Sequence, residues 1–121
     1  MRITVLFALS IFFFSFSPIP KTKHLVGKWE IYKIQKKDKN PKERRDKFLQ
    51  FNIDGSIKAG TIGQEPNKFG TWVLDKNTKV LSLKTDSGNK DDGDYLITKL
   101  TKKEMILTKD NYDIFLEKAG K

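Results

Sequence analysis

Lys47-Phe48-Leu49-Gln50-Phe51-Asn52-Ile53-Asp54-Gly55-Ser56-Ile57 is the stretch whose reading decides the fold. Leu49, Phe51 and Ile53 alternate with Gln50 and Asn52. The apolar period is therefore two, and successive side chains fall on opposite faces of a half-buried strand over 47–53. Asp54-Gly55 follows, a pair suited to the positive-φ positions of a tight hairpin turn. A second strand, 56–62, leaves that turn. The stretch is one hairpin, and its alternation recurs on both sides.

Upstream, a strand over 24–35 places Leu25, Gly27, Trp29 and Ile31 on one face and Val26, Tyr32 and Ile34 on the other. Downstream, 69–74 carries Gly70, Trp72 and Leu74 at one parity, and further strands are predicted over 79–84, 94–100, 105–108 and 112–118. Polar turns separate them: 63–68 with Pro66, Asp75-Lys76-Asn77-Thr78, the Asp-, Gly- and Asn-rich 85–93, then 101–104 and Lys109-Asp110-Asn111. Eight short strands joined by short turns predict an all-β sandwich or barrel. Because most connections are of hairpin length, the simplest path is an eight-stranded antiparallel up-and-down barrel. Such a barrel has an interior wide enough for side chains or one small ligand. Asn40-Pro41-Lys42-Glu43 combines an N-cap residue, Pro at the first helical position and Glu three residues after the cap. Residues 41–47 read equally as a short helix over one barrel mouth and as a charged loop.

The N-terminus has a different character. Met1-Arg2 precedes an almost unbroken apolar run, 3–16, that contains Phe7, Phe12, Phe13, Phe14 and Phe16. It is shorter than the roughly 20 residues a membrane-spanning helix needs. A positive start, a short apolar run and then Ser15-Phe16-Ser17 is the layout of a secretory signal peptide. The expectation is a leader over 1–17 and one exported domain over 18–121, secreted or periplasmic, without stable membrane insertion after cleavage. An uncleaved N-terminal anchor is the rival reading. The chain has 121 residues and no cysteine, so the domain is expected to stand on its hydrophobic core without disulfides.

Lys and Arg number 24 against 15 Asp and Glu, a formal net charge of +9. Most of the positive charge is Lys, a mobile point charge, and it is spread along the whole chain. That pattern implies a solvated basic surface, or attraction to an anionic surface or acidic partner. It argues against nucleic-acid binding, which gathers basic residues along one face. Catalysis has little to draw on: there is no Cys, and the single His, His24, stands at the start of the first strand. Asp91, Asp92 and Asp94 sit in a loop whose context predicts no buried carboxylate pair. Residues 85–94 also miss the EF-hand spacing and carry Lys90 in their midst. No enzyme activity, metal or cofactor is expected.

Gly27-Lys28-Trp29 resembles the Gly-x-Trp signature of the lipocalins. With Phe51-Asn52-Ile53-Asp54-Gly55, Gly70-Thr71-Trp72, Tyr95-Leu96-Ile97 and Leu100-Thr101-Lys102-Lys103-Glu104, the chain resembles small lipocalin-like domains of exported bacterial proteins. The resemblance covers essentially the whole of 18–121. It implies a barrel in which Gly27 permits close backbone approach and Trp29 closes one end. Two features depart from the pattern: Gly93-Asp94-Tyr95 matches the second lipocalin motif only in part, and no Arg follows Arg45 to stack on Trp29. Alternation points Ile31, Phe51, Trp72, Leu83, Ile97, Leu107 and Ile114 inward, as the candidate lining for a small apolar or amphipathic ligand. Trp72 reads as well as a core plug. The alternative is a filled barrel that acts through its basic exterior as an interaction or envelope-associated module.

Overall fold

The computed structural model describes residues 21–37, 39–43, 45–86, 88 and 92–119, so the expected leader lies outside it. The alternating stretches form strands: β1 (Gly27–Lys36), β2 (Lys42–Glu43), β3 (Lys47–Phe51), β4 (Ser56–Thr61), β5 (Lys68–Asp75), β6 (Val80–Thr85), β7 (Gly93–Leu100), β8 (Glu104–Lys109) and β9 (Tyr112–Lys118). From β3 to β9 each strand pairs antiparallel with the next, while β1 pairs with β3 on one side and β9 on the other. Eight strands thereby close into an antiparallel up-and-down barrel, as predicted. The two-residue β2 only extends the edge of β1, through Lys33↔Glu43 and Ile34↔Lys42.

No helix forms at 42–43, where the capping pattern allowed one. Every residue from Lys42 to Lys47 is charged, so a helix there would have no apolar face to bury, and helices this short stand only on packing. One helical turn appears instead at α1 (Thr22–Leu25), where alternation predicted the start of the first strand. Its amides bond backward, Leu25 N to Lys21 O and Val26 N to Thr22 O, and Leu25 is fully buried. The hairpin after β3 also differs from its expectation. The strand ends at Phe51, Ile53 is 74 % exposed in the turn, and only Gly55 there has a positive φ, +92°. Asp54 closes this longer loop by accepting hydrogen bonds from the Ser56 amide and hydroxyl.

Two β-bulges reset the alternation. In β1 the register against β9 jumps from Ile31↔Leu116 to Lys33↔Phe115, leaving Tyr32 as the extra residue. Ile34, expected opposite Ile31, consequently shares the interior with it, paired with Ile114. In β7 the jump lies between Ile97 and Lys99 and returns Leu100 to the inner face, opposite Met105.

One end of the barrel is packed solid. Leu25, Trp29, Phe51, Trp72, Leu81, Met105 and Leu116 meet there with the turns at 52–55, 76–79 and 101–104 around them. Both indole N–H groups have acceptors: Trp29 Nε1 donates to Leu25 O at 2.8 Å and Trp72 Nε1 to Asn52 O at 3.0 Å. Phe51 meets Trp72 edge-on at 5.9 Å between centroids, a favoured aromatic geometry. Lys118 stands where an Arg was missed. Its Nζ lies 4.6 Å from the Trp29 ring centre and donates to His24 O and Val26 O, each at 3.0 Å. Burial pulls this ammonium below the ordinary lysine value. Gly27, at φ +134°, leaves room for it: a Cβ there would sit 3.1 Å from Lys118 Nζ.

Candidate ligand-binding cavity

The opposite end, bounded by 62–67, by Asp86 and Asp92 and by 110–111, is not filled. A cavity of about 430 Å³ opens there. Its walls are apolar: Ile31 and Ile34 from β1, Leu49 from β3, Leu83 from β6, Leu107 from β8 and Ile114 from β9. Its existence follows from a small residue at an inward position. In the rung Leu49–Ala59–Lys68 the central side chain is a single methyl group. Gly70, the centre of the next rung, instead admits the backbone of β6, whose Lys84 O stands where a Cβ would be. A larger residue at position 59 would occupy the space that Ile31 and Leu83 now face.

Polar groups collect at the rim. Lys47 and Lys68 are the first residues of β3 and β5, and Asp46, Asn67, Thr85, Asp92 and Tyr112 complete the opening. Asp92 has a local task, since its Oδ1 accepts from the Thr85 amide at 3.0 Å and hydroxyl at 2.9 Å. Its carbonyl accepts from Lys109 Nζ, which also lies 4.9 Å from the Tyr95 ring centre. Asp94 is held by the Ser82 hydroxyl at 2.6 Å. Both carboxylates thus serve the loop and its strands, and Asp91 lies outside the described residues.

Of the residues that alternation pointed inward, Ile31, Leu83, Leu107 and Ile114 line the cavity. Phe51, Trp72 and Ile97 are also interior but belong to the packed core, and Trp72 is the plug that the sequence allowed as one reading. Gly27 and Trp29 lie at the packed end, where Trp29 is fully buried and Gly27 stands against Lys118. Sequence reasoning missed Ile34, hidden by the bulge, and Ala59, whose small size is itself the signal. It also passed over Leu49, which shares the parity of Phe51, and the two rim lysines.

His24 stands in α1 at the closed end, away from the cavity. Burial and the ammonium groups of Lys21, Lys23, Lys102 and Lys118 hold its imidazole below the ordinary histidine value. Among the described residues no group of three or more His, Cys, Asp or Glu is placed to hold a metal ion. None of their helices is long and apolar enough to cross a membrane.

Two solved structures share this architecture. A lipocalin-like protein from Bacteroides uniformis superposes with a TM-score of 0.68, covering 79 % of this chain and 99 % of its own at 16 % identity. An uncharacterized protein from Bacteroides eggerthii gives 0.65, covering 78 % and 98 % at 18 % identity. No protein-family model and no curated protein matches the sequence. At such identities the likeness is one of fold, and in fold the chain is a small lipocalin-like barrel.

Proposed function

We propose that this lipocalin-like barrel is a non-catalytic binding protein that holds a small apolar or amphipathic molecule in its open half. The observation that carries the reading is the asymmetry of the interior. One end is sealed by two tryptophans with satisfied N–H groups, and the other keeps a cavity of about 430 Å³. Small-molecule sites run from roughly 300 to 1,000 Å³ with mostly apolar walls and a few polar groups. Transfer of apolar ligand surface into such walls is favoured by about 25 cal/mol per Å². A barrel filled by its own side chains describes only the sealed half. The protein is proposed to act outside the cytoplasm, on the strength of the charged start and apolar run within residues 1–17.

The test is titration with Nile red, a neutral fluorophore that brightens in apolar surroundings. One saturable site per chain is expected, with binding weakened about tenfold or more in Ala59→Trp, whose indole would fill the cavity. Circular dichroism confirms that the variant stays folded. Binding that does not saturate, or that a folded Ala59→Trp retains, would overturn the reading.

A further inference from the structure

We infer that the occupant carries an anionic head, a carboxylate on an aliphatic tail, and that Lys47 and Lys68 meet this head at the rim. The inference rests on the cavity being the binding site. Strand parity is its first support. Lys47 shares the inner face of β3 with Leu49 and Phe51, and Lys68 shares that of β5 with Gly70 and Trp72. The two flank β4, where Lys47 pairs with Thr61 and Lys68 with Ala59. They stand roughly 10 Å apart across two strand spacings and roughly 7 Å along the strand, within converging reach of two long flexible stems.

Their charges are also uncommitted. Among the described residues neither ammonium has a carboxylate in ion-pair distance; Lys47 Nζ donates only to Thr61 Oγ1, at 3.3 Å. Asp46 and Asp92 border the same mouth, but each already has partners. Lys109, also of inward parity, is spent on Asp92 O and the Tyr95 ring. Two cations with no carboxylate partner among the described residues thus stand at the rim of apolar walls. A ligand with an apolar tail and a negative head satisfies both surfaces, whereas a neutral alcohol of the same length satisfies only the walls.

Displacement of Nile red by decanoate and by decanol separates the two requirements. The proteins compared are the wild type, the pair Lys47→Gln with Lys68→Gln, and Lys76→Gln, which removes one charge from the turn at the sealed end. Decanoate is expected to displace the dye from the wild type at about a tenfold lower concentration than decanol. That gap should shrink below about threefold in the double variant, persist in Lys76→Gln, and narrow in high salt. Equal potency of the two compounds on the wild type overturns the anionic head and leaves the cavity reading standing. A gap that survives the double variant, or collapses equally in Lys76→Gln, overturns the assignment to the rim lysines. If neither compound displaces a dye that binds saturably and is lost in Ala59→Trp, the aliphatic carboxylate is overturned and the cavity reading stands; if the dye shows no such site, the cavity reading fails and this inference with it.

Discussion

The Lys118 ammonium touches three parts of the closed end at once: the Trp29 ring, the carbonyl of His24 and the carbonyl of Val26. A sequence search for an Arg over Trp29 finds none, because two carbonyls and a ring face need donors and charge, not a planar guanidinium, and a lysine supplies both. Lys118→Ala would leave two partly buried carbonyls without a donor and lower stability by about 2 kcal/mol. Urea unfolding reads this as a lower midpoint at unchanged slope; a shift worth under about 0.5 kcal/mol would show that the contact is ornamental. Gly70 makes a second demand at the same scale. A Cβ there would collide with Lys84 O and lie 2.8 Å from Thr85 Cα, both backbone atoms that cannot swing away. Gly70→Ala should therefore cost about 3 kcal/mol or more, through strain that spreads the β5–β6 pair. A Gly70→Ala protein that unfolds at the wild-type midpoint would show that the two strands part without cost.

At the scale of elements, period two located every long strand to within a few residues, because each strand buries one face and exposes the other. The failures have a common cause: they lie where backbone geometry departs from simple alternation. A bulge at Tyr32 adds one residue without any unusual side chain to announce it, so Ile34 read as outward when it faces in. The capping pattern at 40–43 had the right residues for a helix start but nothing apolar to hold a helix. Helix α1 has no side-chain cap at its start and forms because Leu25 seals the barrel beneath it. This turn also carries a pH dependence. Since His24 is harder to protonate in the folded chain than in the unfolded one, the unfolded chain binds more protons as pH falls from about 6.5. Stability is then fully present above that pH and declines below it. His24→Gln should flatten the stability curve between roughly pH 5 and 7, while the wild type slopes; parallel curves would mean that the lysines around His24 are too well screened to matter.

For the whole molecule, alternation told which side of the sheet a residue faces but not its height along the barrel axis. Phe51, Trp72 and Ile97 were therefore legible as interior, and nothing in their spacing separated them from Leu83 and Ile114, which line the cavity. Height emerges only when the registers are closed around the barrel. It divides the interior into a half that carries stability and a half held open. Phe51→Ala or Leu81→Ala in the packed half should cost about 3–5 kcal/mol, because each leaves a void that its neighbours cannot collapse into. Leu83→Ala, whose side chain already faces open space, should cost about half as much. The decisive variant is Ala59→Leu. In a barrel optimised only for stability, added methyl groups at position 59 would meet clashing neighbours and destabilise. In a barrel that keeps room for a ligand, they gain contacts with Ile31 and Leu83, so the midpoint of unfolding should hold or rise while Nile red binding weakens about tenfold. A drop in both quantities would mean that the space around Ala59 is structural and that emptiness at this end does not serve binding.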